Sequence, residues 1–137
     1  MAIPGIFDRT VGVLHKVLDL RVRNQQVISS NIANMDTPGY NASRLTFEDD
    51  LARALAQPET STSASHPGHF PIGGQVMEKV EGRMHRLPDK TGLGDKNSVD
   101  LDQEMIAQAE NQILFEAAAQ MLNKKLGLLK YVIQSDR

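Results

Sequence analysis

At 137 residues the chain has room for one domain at most. Hydrophobic residues make up 40% of it but aromatics only 4%, with no Trp, so large anchors for a deep globular core are scarce and long, thin packing suits it better. A net charge of -2 supplies no drive toward nucleic acid or anionic lipid, and the absence of Cys removes disulfides, thiolate catalysis and cysteine metal sites together.

The opening stretch "MAIPGIFDRT" has no basic n-region, no apolar run and no small-residue cleavage site, so no cleaved signal peptide is expected. No stretch is apolar enough to predict a span across a bilayer, and no membrane insertion is expected. From 8 to 35 the residues Val11, Leu14, Leu18, Ile28, Ile32 and Met35 fall at alternating spacings of three and four, with Arg21 and Gln25 filling the gap. That is a heptad-like seam on a predicted helix of about 28 residues, roughly 42 Å long. A flanking stripe of Val13, Val17, Leu20 and Val27 widens the apolar face and points to more than one helical neighbour.

The helix must stop after Met35. Thr37 precedes a proline and is pushed out of the helical region, and Pro38-Gly39 fits the two central positions of a type II turn. Asn31 and Asn34 on the last turns have two readings: polar residues at a packing seam that fix register, or exposed residues that prepare the C-cap. A short helix is predicted over 46–57, with Thr46 as its cap, acidic residues in its first turn, and Pro58 ending it.

Residues 58–75, rich in Ser, Thr, Pro and Gly, read as a loop that stays disordered or is ordered by a partner. The segment 75–87 shows patchy alternation that predicts a weak hairpin around Gly82. The final helix is predicted over 98–134, with Asp100 as cap and Gln103 three residues on. Its seam reads Leu101, Met105, Gln108, Gln112, Phe115, Ala119, Leu122, Leu126, Leu129 and Ile133, and its acidic start and lysine-rich end match the helix dipole. The fold class is therefore mainly α: two long terminal amphipathic helices packed as a coiled-coil-like pair, a short third helix, and a loop-rich middle (36–97), all in one unit. Because such a pair buries one seam only, the second stripe on the first helix is expected to stay wet, which argues for self-assembly or for a helical partner.

Chemical sites are weaker. His66, His69 and His85 are three candidate zinc ligands, but His66-Pro-Gly-His69 lies in a Ser/Thr-rich loop without metal-ligand spacing, so a solvated loop is the preferred reading. There is no nucleophile elbow and no phosphate loop, and the acidic clusters at 48–50 and 100–104 are accounted for by helix starts. No catalytic residue, cofactor or metal is expected.

One combination is specific. "SSNIANMDTPGY", with Asn31, Ala33, Asn34, Thr37, Pro38, Gly39 and Tyr40, closely resembles the signature of bacterial flagellar axial proteins, the rod and hook family. Shortness, "NSVDLDQEMIAQAENQILFEAAAQML" and "HPGHF" are similar to the proximal rod proteins of that family, with Met35 and Phe115 as departures. The resemblance implies a non-enzymatic subunit whose terminal helices pack together and against neighbours in a hollow shaft across the periplasm. Val11, Leu14, Leu18, Ile28, Ile32, Met105, Phe115, Leu122, Leu126 and Leu129 would supply the packing and subunit contacts. It also implies export through the flagellar type III apparatus, and partners that are copies of itself, other rod proteins, the basal-body adaptor and the export gate. Ile3, Ile6 and Phe7, ahead of the first helix, are then either a grip for that gate or helix-end packing. Another short proximal rod subunit and a coiled-coil adaptor forming closed oligomers are the alternatives.

Overall fold

A computed structural model describes residues 9–56, 79–89, 92 and 94–135. Their order is α1 (Arg9–Ala33), β1 (Ala42–Thr46), α2 (Glu48–Ala56), β2 (Arg83–Leu87) and α3 (Leu101–Ser135). The loop 58–75, with His66 and His69, and the segment holding Ile3, Ile6 and Phe7 lie outside the described residues.

The two long helices pack along each other. They run in opposite directions, because Asn97, just ahead of α3, meets the end of α1 while Asn111 meets Asn24 further back. With 35 residues against 25, α3 is the longer partner, at about 52 Å for a rise of 1.5 Å per residue. Asp100 caps it: its carboxylate accepts from the N–H groups of Asp102 (3.1 Å) and Gln103 (3.3 Å), so two donors at the helix start are satisfied.

The strand following Gly82 exists, and its partner is β1; residues 75–78 of the expected hairpin lie outside the described residues. β2 pairs antiparallel with β1, Ala42 opposite Leu87 and Thr46 opposite Arg83. Thr46 is therefore the last residue of β1 and not a helix cap; its hydroxyl meets the His85 ring at 3.0 Å. The shift has a cause in the next residue: Phe47, 1% exposed, enters a cluster with Leu20, Leu45, Ala54 and Val80, flanked by Val27 and Leu51. This small core lies between α1, the two-stranded ribbon and α2. It also corrects the expectation of a wet second stripe, since Leu20 and Val27 of that stripe are covered by the chain's own ribbon and α2.

Gly82 shows how tight that packing is. Its φ is +73°, and a Cβ there would stand 3.1 Å from Leu45 Cδ1 and 3.2 Å from Phe47 Cβ. Gly39 has nearly the same φ, +74°, with nothing within 4 Å. Gly82→Ala therefore combines backbone strain with a clash and should cost about 2–3 kcal/mol, against about 1 kcal/mol for Gly39→Ala, where strain acts alone. Urea denaturation of the two variants checks the order, and equal losses would mean that the ribbon yields at Gly82.

Candidate functional site

The end of α1 is built from side chains that replace backbone partners. The N–H of Asn34 is shared between the carbonyls of Ser30 (3.2 Å) and Asn31 (3.1 Å), and Met35 N–H bonds Ile32 O at 3.3 Å, so the last turn tightens. Thr37-Pro38-Gly39-Tyr40 follows as a turn closed by Tyr40 N–H to Thr37 O (3.2 Å), its third residue being the left-handed Gly39. The chain then runs back along α1 as β1.

Asn31 fastens that return. Its side chain is fully buried, donates through Nδ2 to Ser43 O (2.7 Å) and accepts at Oδ1 from Ser43 N–H (2.9 Å) and the Tyr40 hydroxyl (3.3 Å). The carboxamide thus mimics one peptide of a neighbouring strand and satisfies both backbone groups of Ser43. Asn34 does local work: Nδ2 bonds Ser30 O at 2.8 Å, and Oδ1 accepts from Thr37 Oγ1 at 3.3 Å. Ala33 and Pro38 are exposed beside them.

A strap from the far side of the sequence closes the joint. Asn97 Nδ2 lies 2.8–2.9 Å from the carbonyl oxygens of Asn34, Met35 and Thr37, just past the end of α1, where Asn34 O and Thr37 O also accept from the N–H groups of Thr37 and Tyr40. Gly39 N–H donates to Asp95 O (2.7 Å), and Ser98 N–H to Tyr40 O (3.0 Å). The Ser98 hydroxyl accepts from Ala42 N–H (2.8 Å) and donates to Leu87 O, bridging the two strands at their open end. Sequence reading passed over Asn97 and Ser98; an Asn-Ser pair two residues ahead of a capping Asp was the available signal.

The seam between α1 and α3 is partly polar. Asn111 is 3% exposed; Nδ2 donates to Arg21 O (3.0 Å) and Gln25 Oε1 (3.2 Å), and Oδ1 accepts from Asn24 Nδ2 (3.1 Å). Glu104 is buried 3.9 Å from the Arg44 guanidinium. Phe115, Leu122 and Leu129 are half-buried and Ala118 is buried, whereas Met105 and Leu126 are exposed. On α1, Val11 and Ile28 are buried and Leu14, Leu18 and Ile32 half-buried.

An open cleft of about 260 Å³ separates α1, β1 and the start of α3, with Arg21, Arg44, Glu48 and Glu104 in its wall. Arg21 pairs with Glu48 at 3.2 Å, and its guanidinium stands 4.7 Å from the centroid of the Phe47 ring. Among the described residues no group of three His, Cys, Asp or Glu side chains is placed to hold a metal ion. Nor is any described helix long and apolar enough to cross a membrane.

The model of a family described as flagella basal body rod protein matches residues 19–41, the second half of α1 and the turn to Tyr40. A flagellar basal body rod protein FlgB of Aeromonas hydrophila is 32% identical over 125 residues, covering 90% of this chain and 92% of its own length. The chain belongs to the flagellar basal body rod protein family. Proteins of the same name from Borrelia hermsii (32% identical; 81% of this chain, 85% of theirs) and Escherichia coli K12 (29%; 93% and 95%) are similar over most of their lengths. Among these rod-protein relatives, then, similarity extends beyond the joint into the middle segment and α3.

In this rod-family chain most of the exposed large apolar side chains among the described residues lie on α3. Ile106, Ile113, Leu114, Met121, Leu128, Tyr131 and Val132 are exposed, from 47% at Leu114 to 71% at Tyr131. They share an arc of about 100° on the helix, with the exposed Glu110 and Lys124 among them, and an apolar arc of this kind marks an interaction surface.

Proposed function

We propose that this chain is a non-enzymatic structural subunit of the proximal rod of the flagellar basal body, which assembles through its terminal helices. The observation that carries the reading is the uncovered apolar side of α3. An apolar stripe on a helix needs cover, and α1 covers a different side of α3 from the one that carries Ile106, Ile113 and Leu128. Copies of the chain and other rod proteins supply the remaining cover. A heterologous contact that does not close on itself generates a tube from such units. The basal-body adaptor protein and the export gate are the further partners, and passage through the type III apparatus leaves the finished subunit in the periplasm-spanning shaft. The joint turns β1 back along α1, so that the ribbon and α2 stay on one side of the helix pair. The antiparallel helix pair gives the shaft its length, and torque passes through many such seams.

Ile113→Glu combined with Leu128→Glu tests the face. Each exposed residue is worth about 1.5–3 kcal/mol when covered, so two buried carboxylates should weaken association by more than about a hundredfold. Circular dichroism should show unchanged helicity, because neither side chain faces α1. Sedimentation velocity should show concentration-dependent association lost, and a motile strain whose own copy is replaced by the variant should not swim. Normal assembly of the folded double variant would remove this reading.

A further inference from the structure

Judged by apolar burial alone, α3 faces the wrong way. The fully buried positions on the side turned to α1 are Glu104, Asn111 and Ala118, with Phe115, Leu122 and Leu129 half-buried beside them, while Ile106, Ile113, Leu114 and Met121 stay in solvent. Ile106, Ile113, Leu114, Met121 and Leu128 spread over about 100° of the helix, centred about 110° from Asn111, so a rotation of roughly a third of a turn would bring the more apolar side against α1. That rotated pair would remove more hydrocarbon from water. Something in the seam must oppose it.

The opposing feature is a polar network with complete hydrogen bonding. Both Asn111 N–H donors and its carbonyl oxygen have partners on α1, drawn from Arg21 O, Gln25 and Asn24. Rotation would break all three bonds and leave Asn24 and Gln25 facing isoleucine. A single buried Asn in a helical seam fixes register and orientation while lowering stability, because the bonds are satisfied in one arrangement only. The Arg44–Glu104 pair lies on the same side of α3, one heptad earlier, and favours the same setting.

We propose that the Asn24–Asn111–Gln25 network sets the rotation of α3 about its own axis and so keeps the helix's more apolar side outward. Asn111 is the specificity-determining residue of the pair. The network selects which side of α3 is offered to a neighbouring subunit, and in that clause the inference rests on the proposed assembly face.

The chain contains no cysteine, so single reporters are clean. Ile113→Cys (at an exposed position) and Ala118→Cys (at a buried one) would each be placed in the natural chain and in an Asn24→Leu, Asn111→Leu background, and their maleimide labelling rates measured on dilute monomer. In the natural background the cysteine at 113 labels fast and the one at 118 slowly. In the leucine background, with helicity retained, the order should reverse, each rate changing by about tenfold or more. Unchanged rates at both positions in the folded leucine variant overturn the proposal. Should the leucine pair unfold the chain, Asn111→Ala with the same reporters decides it, since an unaltered ratio of the two rates also overturns the assignment. Sedimentation of the leucine variants separates the two readings: reversed labelling with association lost supports both, whereas reversed labelling with association intact keeps the rotational assignment and removes the assembly face.

Discussion

Asn31→Ala should lower stability by about 2–4 kcal/mol, more than any other single change in the motif, because it strands two buried backbone groups at once. The native carboxamide donates to Ser43 O at 2.7 Å and accepts from Ser43 N–H at 2.9 Å, in a site with no exposed surface. Alanine removes both partners at a position that is itself fully buried, and costs the desolvation of the orphaned groups as well as the bonds. Asn31→Asp keeps the shape and one acceptor but sets a carboxylate against the Ser43 carbonyl, so it should not rescue. Asn34→Ala is the control. Its bonds to Ser30 O and Thr37 Oγ1 are at an exposed helix end where water substitutes, and its cost should stay near 1 kcal/mol. Urea denaturation of the three variants, read as midpoint and slope, makes the comparison. A loss at Asn31 no greater than at Asn34 would show that the strand mimicry contributes nothing net.

Those two asparagines also show how far the sequence reaches. It posed two readings for the pair, polar residues at a packing seam that fix register or exposed residues that prepare the C-cap, and the structure gives the buried Asn31 a partner that neither named, the backbone of Ser43, while Asn34 makes local bonds at the helix end. The distinction depends on Ser43, which no helical periodicity contains. The long helices were legible because spacings of three and four over many turns leave few alternatives, and the turn after Met35 because Pro38 and Gly39 each restrict the backbone. The phase of α3 was not legible in its first half. The expected seam ran through Met105 and Gln112, and the observed one runs through Glu104 and Asn111. A helix with apolar residues on every side gives hydrophobic pattern no basis for choosing, and hydrogen bonds to α1 chose instead. The β1–β2 pairing was hidden for another reason. Thr46 and Arg83 meet across 37 positions, and a five-residue strand whose second face is exposed carries little alternation to announce a partner.

The strap at Asn97 and Ser98 links these two gaps. It reads as ordinary loop, yet it caps α1, seals the open end of the ribbon and delivers Asp100 to the start of α3. One short segment therefore positions three elements.

Phe47→Ala should have the largest effect of any single substitution, about 3–5 kcal/mol for the cavity and lost burial, plus about 0.5–1 kcal/mol for the Arg21 cation over its ring. Phe47 is 1% exposed and is the only aromatic residue of the small core among the described residues, touching the same wall that Gly82 must stay small to admit. Without it, Arg21 keeps Glu48 but loses the ring, and its Nε already lacks a hydrogen-bond partner among the described residues. Against a total stability of about 5–15 kcal/mol for a domain, the loss is enough to release the ribbon and α2 from α1. The helical signal should fall little, since α1 and α3 hold most of the helix, while trypsin cleavage at Arg53 and Arg83 accelerates relative to Arg23. Phe47→Leu, which refills much of the volume, should cost under about 1.5 kcal/mol. Because Phe47 and Asn31 both anchor β1, the double alanine variant should lose less than the sum of the two single losses, the strand being free once either anchor is gone. Additive losses would mean that the joint and the core hold β1 independently, so that cutting one leaves the other's grip intact.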